Sequence, residues 1–222
     1  MNLAKSFEFF DPAKVKDRIH IIGCGSVGST VAELLARFGI EKFALYDFDE
    51  VEPHNIVNQM FTAKHIHMAK TDALKSMLEE INPEVNIKIY PDGWTGQPLD
   101  GYVFLALDNI ELRRKITQEN MYNSFIKGMF DCRTGLTDAQ HYAADWADLK
   151  SKKAFLATMD FSHEEAMANS PVSACNVTLC VAPTVRMVSN VCVMNFINFV
   201  KGNHLYKQIP VDILNFSVDP IG

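Results

Sequence analysis

The chain has 222 residues, of which 48% are hydrophobic, and a formal net charge of -6 at pH 7. This length suffices for one substantial core, and we expect a single domain over residues 1–222. Because nucleic-acid binding requires clustered Lys and Arg, the negative charge argues against a nucleic-acid partner. Five cysteines without a CxxC pair indicate reduced thiols. With no signal peptide and no membrane-spanning run evident, we expect a cytoplasmic protein that does not contact a membrane.

Three phenylalanines lie near the N-terminus, before the first predicted strand. Phe7, Phe9 and Phe10 lie close to Asp11-Pro12, and we expect them to pack on the domain or on a neighbouring subunit.

The stretch from Arg18 to Gln59 has the pattern of a nucleotide-binding unit. An apolar run over residues 19–22 is followed by GCGSVG and then by apolar residues at helical spacing, which predicts strand, glycine turn and helix. A second apolar run ends at Asp47, at a suitable distance for a carboxylate that holds a ribose hydroxyl. The exposed N–H groups and the dipole of the helix N-terminus favour an anion there.

The glycine turn assigns a separate role to each of its glycines. Gly23 permits the tight turn, Gly25 lets the backbone approach a phosphate, and Gly28 lets the helix pack against the strand. We expect Ser26, in the same turn, to contact the nucleotide as well. The polar, irregular residues 51–61 follow the strand that ends at Asp47 and form a candidate lid over the site.

A helix is expected from Lys64 to Ile81, with Lys70 on it and with His65 and His67 at its surface. Strands are expected over residues 85–90 and 102–107. The second of these ends at Asp108, which could cap the next helix in a capping box with Glu111, or offer its carboxylate to a metal, and the two roles are compatible.

The second half has a weaker pattern. We expect strands over 126–130 and 139–143, a charged and helical crossover or lid over 144–167, an apolar helix over 184–200, and a final strand over 212–218. The expected fold is a Rossmann-like, mostly parallel α/β sheet flanked by helices, with a short antiparallel C-terminal extension. The nucleotide half covers about residues 18–125, and the crossover and C-terminal half about 126–222.

Four motifs occur in order: GCGSVG, YDFDEVEPHNIVNQ, Lys70 ahead of a helix that ends in INP, and a strand that ends in ALDN. Together they resemble the ThiF/MoeB/HesA family of adenylyltransferases, relatives of ubiquitin-activating enzymes. The resemblance implies that the chain binds ATP with Mg²⁺ and adenylates the C-terminal glycine carboxylate of a small ubiquitin-like or sulfur-carrier protein. Family analogy also suggests a homodimer.

The resemblance implies residue roles by position. Asp47 would hold the ribose, Asp49 and Asn55 would line the nucleotide pocket, Lys70 would contact phosphate, and Asp108 would handle magnesium. Asn58 stands where the family usually has an arginine on the ATP phosphates. Such an arginine can be worth on the order of 10³ or more in rate.

Three further features bear on activity. The family's N-terminal arginine has no clear match in this chain, and the paired CxxC zinc motifs are absent. Arg113, Arg114 or Arg133 could replace the arginine that is missing at Asn58. The alternative to an enzyme is therefore a non-catalytic nucleotide-binding or protein-interaction module derived from the family. A hydride-transfer Rossmann enzyme ranks third, because the later motifs match no dinucleotide requirement.

Cys175 is the candidate thiol. In the family, a cysteine that receives an acyl group or forms a sulfur linkage lies seven residues before a small-residue-Pro pair, and Cys175 fits that spacing to Ala182-Pro183. Cys180 lies between Leu179 and Val181. The competing interpretation is that Cys175 is an ordinary buried cysteine.

We predict that Cys175→Ala abolishes a reductant-sensitive thioester adduct and leaves ATP–pyrophosphate exchange intact, because the thiol acts after the carboxylate is activated. Mass spectrometry of the adduct is the measurement, with Cys180→Ala as the control. An adduct that persists in Cys175→Ala, or that maps to Cys180, would contradict this assignment.

Overall fold

The computed structural model describes residues 1–168 and 179–222. Cys175 therefore lies outside the described residues. None of the helices in these two ranges combines the length and the apolar character needed to cross a bilayer.

Strands and helices alternate through the first half of the chain, as expected for an α/β protein. The strands are β1 (Ile19–Ile22), β2 (Lys42–Tyr46), β3 (Asn86–Tyr90), β4 (Gly101–Leu105), β5 (Ile126–Thr134), β6 (Asp138–Asp145), β7 (Gln208–Asp212) and β8 (Ser217–Val218). The helices are α1 (Ser26–Arg37), α2 (Lys70–Ile81), α3 (Ile110–Glu119), α4 (Leu149–Ala157), α5 (His163–Ala168) and α6 (Ala182–Val200).

The eight strands form one sheet in the order β3-β2-β1-β4-β5-β6-β7-β8. Strands β1 to β5 are parallel, whereas β5 to β8 pair antiparallel. Helices α1, α2 and α6 bury their apolar faces on one side of the sheet, and α3 and α4 cover the other. The predicted Rossmann-like, mostly parallel sheet with a short antiparallel C-terminal extension is confirmed.

The region before α2 differs from the prediction. The helix begins at Lys70 rather than Lys64, because the preceding residues close a separate 3-10 turn capped by Thr62, and His67 then has a positive φ of 71°. His65 is buried rather than at the surface, and its Nδ1 accepts a hydrogen bond from the Thr62 backbone N–H at 3.0 Å. Local capping thus overrides the helical pattern here.

Two predictions in the second half need correction. The segment over residues 144–167 is helical as expected, but it begins with the end of β6 and is divided into two helices, α4 and α5. The expected final strand is interrupted by a turn, because the Asp212 carboxylate accepts hydrogen bonds from the backbone N–H groups of Leu214 and Asn215. An aspartate that caps its own following backbone favours a turn over a strand.

The N-terminal aromatic residues do pack on the domain. Phe10 is buried and meets the Phe38 ring edge-on, with 5.9 Å between ring centroids, and Phe9 lies tilted against the same ring at 6.2 Å. Phe7 is 52% exposed. The packing prediction is therefore confirmed for Phe9 and Phe10.

A buried ion cluster joins β5 to α3. The Asp131 carboxylate is fully buried and forms ion pairs with both Arg113 and Arg133. Arg113 also donates to the Leu105 carbonyl at 3.1 Å, and the Arg133 guanidinium lies 4.4 Å from the centroid of the Tyr142 ring. Among the described residues, Asp131 is the carboxylate that forms ion pairs with both cations, so both depend on it.

We predict that Asp131→Ala lowers the free energy of unfolding by about 3–5 kcal/mol, because it leaves two buried guanidinium groups without their carboxylate. Urea denaturation is the measurement. Asp17→Asn is the matched control, since Asp17 pairs with the half-exposed Lys127 and its loss should cost less than about 1 kcal/mol. Equal losses of unfolding free energy in the two variants would show that the buried cluster stabilises the fold no more than a surface ion pair does.

Candidate functional site

A cleft lies at the carboxyl ends of β1 and β4. Strands β2 and β3 are added on one side of β1, whereas β4 and β5 are added on its other side, so the chain changes direction across the sheet between β1 and β4. In open α/β sheets this is the position at which ligands bind. The cleft has a volume of about 260 Å³. Its lining residues are Ile22, Gly23, Gly25, Ser26, Tyr46, Asp47, Phe48, Asp49, Gln59, Lys70, Asp92, Gly93, Trp94, Ala106, Leu107, Asp108 and Leu112.

The floor of the cleft is the turn between β1 and α1. Gly23 has a φ of +95°, and a Cβ on it would lie 2.5 Å from the Ala106 carbonyl oxygen. A Cβ on Gly28 would lie 1.8 Å from the Gly23 carbonyl oxygen. Gly28 therefore does not line the cleft, and its role is to let α1 pack against the turn, as predicted from the sequence.

Gly25 has a different environment. It is the N-cap of α1, where no side chain caps the helix, and a Cβ on it would meet no atom within 4 Å. The first N–H groups of a helix have no intrahelical partner, and with the positive end of the dipole they attract an anion. The open space beside Gly25 and Ser26 thus suits a phosphate group.

Asp47 is fixed at the end of β2 by two backbone hydrogen bonds. Its Oδ2 accepts from the Cys24 N–H at 2.6 Å, and its Oδ1 accepts from the Asp49 N–H at 2.9 Å. Burial raises the pKa of Asp47, and these hydrogen bonds together with the charge of Lys70 oppose that rise. Each oxygen keeps acceptor capacity, so the carboxylate is oriented for a hydroxyl donor in the cleft.

Lys70 supplies the positive charge of the cleft. Its side chain is 10% exposed, and its ammonium group lies 2.7 Å from the Asp49 carboxylate, which is itself half exposed. The Lys70 N–H also donates to the Asp49 carbonyl at 2.9 Å. Two contacts hold Lys70 against Asp49. Lys70 is therefore fixed at the start of α2, where it lines the cleft.

Asp108 lies on the connection between β4 and α3 and is exposed. It is not the helix cap that the sequence suggested, because the side chain of Asn109 accepts the capping hydrogen bond from the Leu112 N–H at 2.9 Å. Within the described part of the chain the Asp108 carboxylate has no hydrogen-bond or ion-pair partner. Such a carboxylate is a suitable ligand for a hard divalent cation such as Mg²⁺.

Besides Gly28, two further predicted residues lie outside the cleft lining. Asn55 is buried, and its Oδ1 accepts from the Glu52 N–H at 2.9 Å, so it shapes the loop after β2. Asn58 donates from Nδ2 to the Cys180 carbonyl at 3.0 Å, which ties that loop to the start of α6. Both side chains act on the loop that carries Gln59 into the cleft.

The three arginines proposed as replacements at Asn58 are also absent from the lining. Arg113 and Arg133 hold Asp131, as described above. Arg114 donates to the carbonyl groups of Met159 and Phe161 and so fastens the turn after α4. The hydrogen bonds and ion pairs of these three arginines therefore stabilise the fold and do not serve the cleft.

Sequence reasoning missed several lining residues, chiefly Phe48, Gln59, Asp92 and Trp94. Phe48 is 73% exposed at the cleft mouth, next to Gly93. The Oε1 atom of Gln59 is buried without a hydrogen-bond partner among the residues described, so it can accept from a ligand donor. The usable signal for Asp92 was its position directly after β3, at the same sheet edge as Asp47.

A separate cluster of Cys132, His141 and Cys192 is buried between the sheet and α6, with its ligand atoms within 4.8 Å of one another. The Asn195 amide is oriented by Tyr206 and directs its Nδ2 to His141 Nε2 at 3.0 Å. The ring proton is therefore on Nδ1, which donates to the Asp131 carbonyl at 3.1 Å. Both ring nitrogens are occupied, so this cluster is a satisfied part of the core rather than a metal centre.

The strand order, the glycine turn after β1 and the fixed Asp47 carboxylate after β2 define an α/β protein of the doubly wound class. The chain belongs to the ThiF family, which it matches over residues 13–219.

Individual relatives agree with this membership. The chain is 32% identical over 152 residues to ubiquitin-like modifier-activating enzyme 5 of Drosophila virilis and of Drosophila mojavensis. That match covers 58% of this chain and 36% or 37% of the relative, so the chain spans little more than a third of these curated relatives.

Solved structures share the fold. The crystal structure of E. coli MccB superposes with a TM-score of 0.71 at 16% identity and covers 94% of this chain and 63% of MccB. The crystal structure of PaaA gives the same TM-score and identity and covers 65% of that chain.

We predict that Gly25→Ala leaves the free energy of unfolding within about 1 kcal/mol, because the added methyl meets only open space, but weakens ATP binding at least about tenfold by occupying the phosphate position. Gly28→Ala is the contrasting variant, since its methyl would strike the Gly23 carbonyl and destabilise the fold by about 1–3 kcal/mol. Urea denaturation and isothermal titration calorimetry measure the two effects. Unchanged ATP affinity in Gly25→Ala would mean that no phosphate lies there.

Proposed function

We propose that this chain is an ATP-dependent adenylyltransferase that activates the C-terminal glycine carboxylate of a small ubiquitin-like or sulfur-carrier protein. The observation that carries the proposal is the exposed Asp108 carboxylate, which forms no hydrogen bond or ion pair with the described residues and shares one cleft with the turn at Gly25 and with the cation of Lys70. A turn for phosphate, a cation for phosphate and a carboxylate for Mg²⁺ are the parts that nucleotidyl transfer needs.

Four parts of the cleft have a binding role in this proposal. Asp47 binds the ribose, the Gly23–Ser26 turn binds the phosphate nearest the ribose, and Lys70 binds phosphate oxygens. Asp108 would hold Mg²⁺, which supplies charge neutralisation at the reacting phosphates. The oxygen atoms present suit Mg²⁺. Neither Asp108 oxygen is bonded to a described residue, and Gln59 Oε1 is buried without a hydrogen-bond partner among the described residues.

The proposed reaction is a substitution at phosphorus. A glycine carboxylate oxygen forms a bond to the α-phosphorus of ATP, the bond from that phosphorus to the bridging oxygen breaks, and pyrophosphate leaves with the electron pair. The attacking carboxylate is already ionised at neutral pH, so no general base is required. The residues need to bring two anions together, and the N-terminus of α1 and Lys70 reduce the repulsion between them.

The relatives support the kind of substrate proposed. The Drosophila proteins are named as ubiquitin-like modifier-activating enzymes, and crystal structures of MccB include complexes with ATP and with MccA. By the same analogy we propose that the chain works as a homodimer in the cytoplasm.

A non-catalytic nucleotide-binding or protein-interaction module is the second candidate. The observation in its favour is the charge of the cleft: four carboxylates line it, and its one lining lysine is already paired with Asp49. Asn58, at the position of the family arginine, adds no positive charge.

We predict that the chain binds ATP with Mg²⁺ more tightly than NAD, and that Asp108→Ala weakens ATP binding about tenfold or more in Mg²⁺ but little in EDTA, because only the metal-bound form uses this carboxylate. Isothermal titration calorimetry measures both. Glu111→Ala is the control, since Glu111 lies one helical turn away and outside the cleft lining.

Tighter binding of NAD than of ATP with Mg²⁺ would contradict the adenylyltransferase. Pyrophosphate exchange with the cognate carrier protein, if it is present in the wild type and lost in Asp108→Ala, would eliminate the non-catalytic module.

A further inference from the structure

The charges of the cleft do not balance a triphosphate. Asp47, Asp49, Asp92 and Asp108 line it, and Lys70 is its lining cation. A bound Mg²⁺ offsets part of the charge of a triphosphate, yet several like charges remain close together in a partly buried space. If the proposed function is right, on which this inference rests, a further cation has to reach the phosphate chain.

Five of the six arginines in the sequence are committed elsewhere. Arg18 donates to the carbonyl groups of Phe43 and Asn86, and Arg37 pairs with Glu33 at the far end of α1. Arg113, Arg114 and Arg133 hold Asp131 and the turn after α4. Residues 169–178, which the structure does not describe, contain neither Lys nor Arg.

Arg186 is the remaining arginine. It lies in the second turn of α6, half-buried, and donates a hydrogen bond to the Thr30 hydroxyl. Among the described residues no carboxylate lies within ion-pair distance of its guanidinium. An arginine has five N–H donors, and a single neutral hydroxyl satisfies only one of them.

Two hydrogen bonds connect this guanidinium to the cleft. Arg186 donates to Thr30 Oγ1, and Thr30 Oγ1 donates at 2.8 Å to the carbonyl of Ser26, which lines the cleft beside Gly25. The guanidinium therefore lies one helical turn from the anion-binding end of α1.

The loop with Asn58 lies in the same place. Asn58 contacts the Cys180 carbonyl just before α6, and the Met60 N–H donates to the Ser29 hydroxyl at 3.2 Å, next to Thr30 on α1. Arg186 and Asn58 thus both contact the region where α1 and the start of α6 meet, and Asn58 lies on the loop that carries Gln59 into the cleft.

We propose that Arg186 binds the β- and γ-phosphate end of the nucleotide and supplies the cation that the cleft otherwise lacks. On binding, the guanidinium exchanges its hydrogen bond to the Thr30 hydroxyl for phosphate oxygens, which it can contact in a bidentate manner. AMP, which lacks those phosphates, makes no use of Arg186.

The test compares two nucleotides rather than one. In isothermal titration calorimetry with Mg²⁺, Arg186→Gln is expected to weaken ATP binding about 10–100-fold, the effect of losing charge-assisted hydrogen bonds, and to change AMP binding less than about twofold. Lys115→Gln, which removes a 60% exposed cation of α3 outside the cleft lining, should change neither. Thermal unfolding of Arg186→Gln should match the wild type, because the lost bond is to one hydroxyl.

A second variant separates charge from packing. Asn58→Arg in the Arg186→Gln background should restore ATP affinity to within about tenfold of the wild type, since it returns a guanidinium to the region where the loop meets α6. Equal weakening of ATP and AMP in Arg186→Gln, or no weakening of either, would overturn the role of Arg186 while leaving the proposed function in place. Wild-type protein that binds neither nucleotide would overturn both.

Discussion

The contact of the β1–α1 turn with β4 is the constraint on which the cleft depends. Gly23 lies against the Ala106 carbonyl, and Gly28 lies against the carbonyl of Gly23, at separations that no Cβ could occupy. These two contacts bring the N-terminus of α1 between the ends of β1 and β4, with its first N–H groups open to the solvent. The Cys24 N–H then donates to Asp47, so the end of β2 is fastened to the same turn.

The order of the strands places this turn in a row with the polar side chains that follow the neighbouring strands. Along the carboxyl edge of the sheet, the glycine turn follows β1, Asp47 follows β2 and Asp92 follows β3, whereas Asp108 follows β4 on the other side. Phosphate, ribose and base would therefore extend from β1 toward β3, and a metal would lie toward β4. The carboxylates at three of these ends make the cleft acidic, so the proposed binding of an anionic nucleotide would depend on bound cations.

The sequence was most informative where one element is specified by its own residues. Buried parallel strands are continuous apolar runs, and the glycine turn marks where β1 becomes α1, so residues 19–46 were predicted closely. The start of α2 was mispredicted because Thr62 and His65 cap a separate turn within an otherwise helical pattern. The sequence placed Gln59 in the candidate lid over residues 51–61 but not specifically in the cleft, because that loop is held by a distant partner, the Cys180 carbonyl.

The arginines show why residue type alone does not assign a site. Arg113 and Arg133 must neutralise a fully buried carboxylate, and Arg114 satisfies carbonyl groups that α4 leaves exposed at its end. Those acceptors occur far from each arginine in the chain, so sequence spacing could not reveal them. Buried acceptors bind the nearest guanidinium because leaving them unsatisfied is costly. Arg186 on α6 differs from these three. Among the described residues it donates to the Thr30 hydroxyl and forms no ion pair, although the Glu33 carboxylate is near enough to act on its pKa, and we therefore propose it as the arginine left for a ligand.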